Sequence, residues 1–284
     1  MTRGQARANG LARLRASDDP SPALAADLLL ADACGIAKEV LYAHLDEALP
    51  PDREARYREL IERRAAGEPV AYLRGWKEFF GLRFAVDDRV LIPRPETETL
   101  VEAALAYLRA GRRRRVADVG TGSGAIAVAI AVNEPEARVI ATELSSGALE
   151  VARANIRAHG VERRVDVRVG DLLDPVEEGV DVVTANLPYL RADALDHLTA
   201  ERTSLLFEPR AAVLAGGDDA LDVIRRAVAQ LPGKLAPGGA AFFECDPPQA
   251  GAVAELLAAA LGGPTLIIRD LMGNERVVRG TRPG

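Results

Sequence analysis

The tetrapeptide Asn186-Leu187-Pro188-Tyr189 combines groups that can hold a planar, weakly nucleophilic nitrogen. The lone pair of an amide or exocyclic amine nitrogen is delocalised, so attack is favoured when two oxygen acceptors hold its N–H groups. Asn186 offers a side-chain carbonyl, and Leu187 offers a backbone carbonyl that Pro188 directs by restricting the preceding residue. Tyr189 offers an aromatic face for stacking on a flat amide or base. The tetrapeptide therefore suits methyl transfer to such a nitrogen, with Asn186 and Tyr189 as candidate catalytic residues and all four as candidate substrate-binding residues.

A glycine-rich run joins a predicted strand to a predicted helix, and its residues are Asp118-Val119-Gly120-Thr121-Gly122-Ser123-Gly124. Glycines let the backbone turn tightly and approach a ligand closely, and the first amides of the following helix face that ligand. Open α/β sheets bind nucleotides at such a loop. Read as Gly120-x-Gly122-x-x-Ala125, the run also fits the dinucleotide fingerprint, because glycine spacing alone is weakly specific.

Carboxylates stand before this loop and at the ends of the next two predicted strands. Glu143 can accept hydrogen bonds from ribose hydroxyls, which occur in both NAD and S-adenosylmethionine. Asp118 separates the two cofactors, because a carboxylate here suits a cationic amino-acid ligand and repels a pyrophosphate. Asp171 can accept a hydrogen bond from an adenine amino group, although a helix cap or turn residue is the alternative interpretation. Together these residues favour S-adenosylmethionine.

The elements that must position these groups follow an alternating pattern from residue 115 onward. The predicted strands are 115–119, 138–142, 165–169, 181–185 and 240–244, and the predicted helices are 125–133, 146–159, 218–231 and 249–261. This alternation predicts a parallel sheet with helices on both faces. Thr265–Asp270 and Glu275–Gly280 are joined only by Leu271–Asn274, which is too short for a parallel crossover, so they must be antiparallel neighbours. The layout is that of a class I methyltransferase, a Rossmann-like, mostly parallel seven-stranded sheet, rather than that of a dehydrogenase.

The chain before residue 75 has helical periodicity without strand-like runs. Helices are predicted over Pro22–Ala33, Lys38–His44 and Asp52–Ala66, with Ser21 as a helix N-cap. Two short segments, 74–79 and 83–86, are separated by residues 80–82 with Gly81 among them, which predicts a β-hairpin. The predicted domains are a helical substrate-recognition bundle over 1–73, a hairpin linker over 74–90 and a methyltransferase domain over 91–284.

Composition excludes several classes of protein. The chain of 284 residues is 48% hydrophobic and 27% charged, which is typical of a globular protein. Its net charge of -6 disfavours a broad nucleic-acid-binding face. Val119–Asn133 is uncharged but shorter than the roughly 20 residues that a membrane span needs, and the few cysteines and histidines lack metal-ligand spacing. We therefore expect a cytoplasmic monomer with no metal site, no membrane association and no direct nucleic-acid partner.

Longer motifs resemble the release-factor glutamine N5-methyltransferases, the HemK/PrmC family, over almost the whole chain. The most specific segment is Leu91-Ile92-Pro93-Arg94-Pro95-Glu96-Thr97-Glu98. The other matching segments are 67–73 with Gly75, 118–124, 186–189, 207–210 and 274–277.

This resemblance implies roles for the candidate residues. It implies a helical N-terminal domain that helps to grip the release factor. It places S-adenosylmethionine over Gly120–Gly124, with Glu143 at its ribose and with Asp171 and Leu172 near its adenine. The glutamine of the release factor's Gly-Gly-Gln loop is expected to enter the 186–189 pocket, where its side-chain nitrogen N5 is methylated and S-adenosylhomocysteine remains as product.

Two positions depart from the family pattern. The usual tetrapeptide is Asn-Pro-Pro-Tyr, and Leu187 replaces the first proline while retaining the backbone carbonyl. Asn-Leu-Pro-Tyr also resembles the form found in ribosomal RNA adenine dimethyltransferases. Leu172 stands where an aromatic residue is usual, which removes a stacking partner for adenine. The run from Glu244 to Gln249 also matches loosely, without a physical role that the sequence can assign.

Three alternative functions remain open at this point. An adenine N6-methyltransferase acting on RNA or DNA predicts a basic groove and strongly salt-dependent substrate binding. A non-catalytic cofactor-binding module is disfavoured by the intact Asn186–Tyr189 set. An NAD dehydrogenase is disfavoured because no acid/base pair for hydride transfer is evident.

Overall fold

The computed structural model describes residues 1–111, 113–177, 179–195 and 205–284. The chain divides into two compact units, Met1–Trp76 with Leu195–Phe207, and Lys77–Ala194 with Glu208–Gly284. Each unit has its own buried apolar core. None of the described helices combines the length and the apolar character needed to cross a membrane.

Helices make up the first unit over Met1–Trp76. They are α1 (Arg3–Arg15), α2 (Pro22–Cys34), α3 (Lys38–Ala43), α4 (Pro51–Ala65) and α5 (Val70–Arg74). Both α2 and α4 begin with a proline, whose missing N–H has no helical partner at that position anyway. The three predicted helices are confirmed to within a residue or two. Ser21 occupies the predicted N-cap position of α2, and its side chain makes no capping hydrogen bond there.

Helix α1 was not predicted. Its start is stabilised by a capping box, in which the Gln5 amide donates to the Thr2 side chain and the Thr2 amide donates to the Gln5 side chain. Its buried face consists of Ala6, Gly10 and Leu14. Two of these three residues are small, so the apolar stripe is inconspicuous in an arginine-rich segment.

A hairpin of β1 (Trp76–Phe79) and β2 (Leu82–Ala85) precedes the main sheet of the second unit. The sheet strands are β3 (Arg115–Val119), β4 (Arg138–Glu143), β5 (Val165–Val169), β6 (Val180–Ala185), β7 (Leu235–Glu244), β8 (Thr265–Arg269) and β9 (Glu275–Thr281). Their order is β5-β4-β3-β6-β7-β9-β8. The first five strands are parallel, and β9 is antiparallel to both β7 and β8. The predicted seven-stranded sheet and its terminal hairpin are confirmed.

Helices cover the two faces of this sheet. They are α6 (Glu98–Gly111), α7 (Ala125–Asn133), α8 (Ser146–Ala158), the short α9 (Arg210–Val213), α10 (Asp222–Lys234) and α11 (Ala250–Leu261). Helix α7 is buried from Ala125 to Ala131, which explains why it is apolar on all sides. Each large aliphatic side chain buried in this way contributes about 1.5 to 3 kcal/mol to folding.

The predicted helix 218–231 starts later and ends later than expected. Ala220 has a left-handed φ of 56°, and the Asp219 side chain accepts a hydrogen bond from the Leu221 amide, so this stretch forms a turn. Helix α10 therefore begins at Asp222 and continues past Pro232 to Lys234.

The strand order places β3 between β4 and β6, so consecutive crossovers leave β3 in opposite directions. A crevice forms at the carboxyl ends of the strands at such a switch point. Asn155 of α8 supports its floor by bonding to the Ala85 amide and carbonyl and to the Ser123 carbonyl. The buried Asn155 thereby joins the hairpin to the glycine loop.

Candidate active site

A cavity of about 410 Å³ opens at this crevice within the second unit. Ligand sites of small molecules commonly have this size. Of the predicted site residues, those with a place in its wall are Gly120, Thr121, Gly122, Ser123, Glu143, Asp171, Leu172, Asn186, Leu187 and Pro188. The structure thus brings together residues that follow four different strands. Asp118, Gly124 and Tyr189 are described but do not line the cavity.

The glycine loop turns sharply beneath the tetrapeptide. Gly120 has a φ of 67°, a left-handed conformation that side chains disfavour. A Cβ atom at this position would lie 3.0 Å from Cδ2 of Leu187. Glycine is therefore required here for two reasons, the backbone conformation and the close approach of Leu187.

Glu143 is organised as an acceptor at the cavity wall. One of its carboxylate oxygens accepts a hydrogen bond from the Gly122 amide, and the other accepts bonds from the Leu144 and Ser145 amides, all at 2.9 Å. These three N–H groups fix the orientation of the carboxylate. Glu143 also connects the glycine loop to the end of β4.

Asp118 lies behind the glycine loop rather than in the cavity wall. It is fully buried, and its carboxylate accepts hydrogen bonds from the hydroxyls of Thr121, at 2.6 Å, and Thr184, at 2.9 Å. Burial raises the pKa of Asp118 to about 6, against the opposing effect of these hydrogen bonds. The structure therefore does not support direct contact between Asp118 and a cationic ligand; the carboxylate instead holds the loop through Thr121.

Asp171 and Leu172 line the side of the cavity next to β5. Asp171 forms an ion pair with Arg226 of α10, which lines the same cavity. Leu172 is buried and has a left-handed φ of 50°. Such backbone strain in a non-glycine residue costs about 1 to 3 kcal/mol and is concentrated at functional sites. The Asp171–Arg226 ion pair was not predicted.

The tetrapeptide at the end of β6 presents two oxygen acceptors. The side-chain amino group of Asn186 donates to the hydroxyl of Thr97 at 3.0 Å, which leaves its carbonyl oxygen on the other side of the amide. No N–H group of the described residues donates to the Leu187 carbonyl. The Leu187 side chain is buried and packs in the core.

Tyr189 contributes to the site from behind the cavity wall. Its hydroxyl donates to the Glu244 carboxylate at 3.1 Å, and its ring packs against the core. Glu244 ends β7 and is 1% exposed. Burial raises the pKa of Glu244 to about 7, which the Tyr189 hydrogen bond and the Arg276 charge partly oppose. The predicted stacking face of Tyr189 is therefore not part of the cavity surface in this structure.

Two family segments are tied together at the cavity rim. Arg94 lines the cavity and forms an ion pair with Glu208, whose side chain is fully buried. Glu208 also accepts a hydrogen bond from the Ile92 amide at 3.0 Å. The structure thus explains why Ile92-Pro93-Arg94 and Glu208-Pro209 both carry motif residues, because each segment holds the other.

Over the described ranges, no group of three or more histidine, cysteine, aspartate or glutamate side chains is arranged to hold a metal ion. The polar side chains at the cavity are instead engaged by backbone amides, hydroxyls and arginines.

Comparison with known proteins decides the family. A model described as the PrmC N-terminal domain matches residues 5–75, and one described as the Methyltransferase small domain matches residues 97–241. The release factor glutamine methyltransferase of Koribacter versatilis is 40% identical over 285 residues, which cover 100% of this chain and 99% of that protein. The protein of the same name from Moorella thermoacetica is 42% identical, over 97% of each chain. The chain belongs to the release factor glutamine methyltransferase family. The resemblance found in the sequence is confirmed.

A solved structure of a methyltransferase from Pyrococcus furiosus shares the fold of this family member. The TM-score is 0.53 at 19% identity, covering 73% of this chain and 92% of the other. The predicted class I methyltransferase fold is confirmed.

The hydrogen bonds and ion pairs of four residues in or near the site were not predicted from the sequence. These residues are Thr97, Glu244, Arg226 and Asn155. Thr97 lies in the most specific segment, and Glu244 ends a predicted strand, as Glu143 does. Those two signals were available in the sequence, whereas the partners of Arg226 and Asn155 required the folded chain.

Proposed function

We propose that the protein transfers a methyl group from S-adenosylmethionine to N5 of the glutamine in the Gly-Gly-Gln motif of peptide chain release factors. The observation that carries this proposal is that Asn186, Leu187 and the glycine loop line one cavity. Acceptors for a planar nitrogen and a cradle for a nucleoside cofactor are thus adjacent. Membership of the family supports the choice of substrate.

The cavity residues fit S-adenosylmethionine. The glycine loop, Gly120 to Ser123, has no large side chain to exclude a ligand, and Glu143 presents an oriented carboxylate for ribose hydroxyls. Asp171 and Leu172 are positioned to contact adenine from the β5 side. When bound, the cofactor supplies an electrophilic methyl group on a sulfonium.

The protein's own part of the reaction is to hold the nitrogen. The Asn186 side-chain carbonyl and the Leu187 backbone carbonyl accept the two N–H groups of the substrate amide, which fixes the nitrogen and stabilises the positive charge that develops on it. Leucine supplies this backbone oxygen as proline would. The nitrogen loses its surplus proton to water after transfer, so this mechanism needs no strong base in the cavity wall.

The remaining assignments concern the partner. We assign recognition of the release factor to the helical region 1–73, which the hairpin linker over 74–90 joins to the methyltransferase domain over 91–284. The enzyme acts as a monomer in the cytoplasm, where translation takes place, and it contacts no nucleic acid directly. Its acidic net charge of -6 supports a protein partner rather than a nucleic acid.

The test is mass spectrometry of the Gly-Gly-Gln peptide after incubation of purified release factor with the protein and S-adenosylmethionine. We expect the mass of one methyl group on the glutamine. Absence of this modification, with methylation of RNA or DNA adenine under the same conditions, would refute the proposal.

Asn186→Ala is the matching variant. Loss of one of the two acceptors is expected to lower kcat by about 10²- to 10³-fold while leaving the Kd for S-adenosylmethionine nearly unchanged. Isothermal titration calorimetry measures the Kd without release factor. An equal loss of cofactor binding and turnover would contradict the assigned role.

A further inference from the structure

Helix α10 presents one row of polar side chains to loop 171–176, which follows β5. Arg226, Gln230 and Lys234 are spaced four residues apart, so they lie on one face of the helix. Arg226 forms an ion pair with Asp171, the first residue of this loop. Lys234 donates to the last carbonyl of the loop, and Gln230 bonds to its middle. The helix therefore holds the loop at three points.

Gln230 makes the central contact with both ends of its side-chain amide. Its carbonyl oxygen accepts a hydrogen bond from the Leu173 amide at 2.7 Å, and its amino group donates to the Asp174 carboxylate at 3.0 Å. Leu173 is completely buried in the core. Loss of the Gln230 acceptor would leave a buried N–H group without this partner, which is unfavourable.

The loop needs this support because part of its backbone is strained. Leu172 has a φ of 50°, a left-handed conformation that side chains disfavour. The contact between Asp171 and Arg226 lies on one side of this residue, and the contact between Leu173 and Gln230 lies on the other. Without these contacts, relaxation of Leu172 would move the side chains of the loop.

The same face of α10 forms part of the cavity wall. Val223, one turn before Arg226, lines the cavity together with Arg226, Asp171 and Leu172. Gln230 lies one turn further along the helix and is not part of this wall. It therefore acts on the cavity through the loop, whereas a ligand in the cavity would contact Asp171 and Leu172 themselves.

We propose that Gln230 is a positioning residue for the cofactor, because it holds loop 171–176 in the strained conformation that receives the adenine ring. A loop that is held in its bound conformation before the ligand arrives costs less free energy to order, so the ligand binds more tightly. The ion pair with Arg226 fixes the direction of the Asp171 carboxylate, which accepts a hydrogen bond from the adenine amino group. This inference rests on the placement of adenine in the proposed function, and not on the choice of release factor as substrate.

Gln230→Met removes both contacts and keeps the length of the side chain. We expect the Kd for S-adenosylhomocysteine, measured by isothermal titration calorimetry, to rise by about tenfold or more. An unchanged Kd would contradict the positioning role.

Selectivity for adenine separates positioning from packing. In the analogue of S-adenosylhomocysteine that carries hypoxanthine, a carbonyl oxygen replaces the amino group and would face the Asp171 carboxylate, so two acceptors would meet. The wild type should therefore bind S-adenosylhomocysteine about tenfold more tightly than the analogue. In Gln230→Met this ratio should fall to about threefold or less. A merely structural loss would raise both Kd values equally, and that result would refute the positioning role.

Tyr107→Phe is the control. It removes one hydrogen bond of the same unit, from the Tyr107 hydroxyl to the Gly238 carbonyl at 2.9 Å, outside the cavity wall. Both Kd values and their ratio should equal those of the wild type, even if its melting temperature falls as much as that of Gln230→Met.

Gln230→Glu is the second variant. A glutamate keeps an acceptor for the buried Leu173 amide, which favours folding, but it cannot donate to Asp174 and places two carboxylates side by side. Their repulsion should push the loop away, so the Kd for S-adenosylhomocysteine should rise and the selectivity for adenine should fall, as in Gln230→Met. Should Gln230→Met not fold, this variant decides by the same two measurements.

A further measurement needs no ligand. The Leu173 amide hydrogen, followed by NMR, should exchange with solvent about tenfold faster or more in Gln230→Met than in the wild type, because a hydrogen bond protects it. Unchanged exchange would show that Gln230 does not hold the loop, and would refute the proposal.

The outcomes separate this inference from the proposed function. If the wild type is selective for adenine but both Gln230 variants keep its Kd and its selectivity, the positioning role is refuted and the proposed function stands. If the wild type shows no selectivity for adenine, the placement of adenine fails and the positioning role fails with it. If the wild type is selective but does not methylate release factor, only the choice of substrate fails, and the two variants still decide the role of Gln230.

Discussion

Replacing Glu244 with glutamine is expected to make the protein more stable at alkaline pH and less sensitive to pH. Glu244 is 1% exposed, and burial raises its pKa from 4.5 to about 7 despite the hydrogen bond from Tyr189 and the charge of Arg276. Between these two pH values the folded protein therefore binds more protons than the unfolded chain. The stability that depends on this group is greatest below about pH 4.5 and falls as the pH rises to about 7.

The magnitude follows from the displacement of the pKa. A rise from 4.5 to about 7 corresponds to roughly 3 kcal/mol of lost folding free energy at high pH, of which about 2 to 3 kcal/mol is lost between pH 5 and pH 8. Asp118, whose pKa burial raises to about 6, also lowers stability as the pH rises, over a lower window. Because Asp118 is present in both proteins, its effect cancels when the variant is subtracted from the wild type.

Urea unfolding at pH 5 and pH 8, followed by far-ultraviolet circular dichroism, measures this difference. Between the two pH values the wild type should lose about 2 to 3 kcal/mol more unfolding free energy than Glu244→Gln. Glu150→Gln is the control, because the Glu150 side chain is 70% exposed and its replacement should leave the pH dependence unchanged. Parallel pH profiles for the wild type and Glu244→Gln would refute the reasoning, since they would mean that ionising Glu244 costs nothing in the fold.

Two further substitutions test the cavity wall. Gly120→Ala should lower the free energy of unfolding by about 1 to 3 kcal/mol and weaken cofactor binding, because residue 120 has a left-handed conformation and the added carbon lies 3.0 Å from Leu187 Cδ2. Thermal unfolding with and without S-adenosylmethionine measures both effects. An unchanged melting temperature would contradict the geometry. Arg94→Ala should lower the free energy of unfolding by about 2 to 4 kcal/mol, because the buried Glu208 would keep only the Ile92 amide as a donor. Glu208→Gln should lower it by only about 1 kcal/mol, because the partly exposed Arg94 stays within reach of water. Equal losses in urea unfolding of these two variants would show that the asymmetry in burial has no energetic consequence.

Local sequence patterns were sufficient for most of the second unit. Strands β3 and β5 and helix α7 have the predicted bounds, because continuous apolar runs and helical periodicity are local signals. The antiparallel terminal hairpin followed from the short Leu271–Asn274 link, since four residues cannot carry a parallel crossover. Helix α1 was missed because its buried face is mostly small residues.

The sequence predicted the candidate site residues well where their position depends on the course of the backbone. The glycine loop and the ends of β4, β5 and β6 line one cavity because the carboxyl ends of parallel strands lie at one edge of a sheet. The predictions were weaker for side-chain direction. Asp118 and Tyr189 follow the expected strands, but Asp118 bonds to two threonine hydroxyls and Tyr189 to Glu244, away from the cavity surface.

The sequence by itself determined the order of strands and helices, the family and the backbone motifs at the strand ends, because each of these depends on residues that are close together in the chain. Only the tertiary structure decided which polar side chains form hydrogen bonds with each other. Thr97 meets Asn186 across 89 residues, and Glu244 meets Tyr189 across 55. No local pattern records such pairs, since burial in a common core, rather than spacing along the chain, forces their donors and acceptors to match.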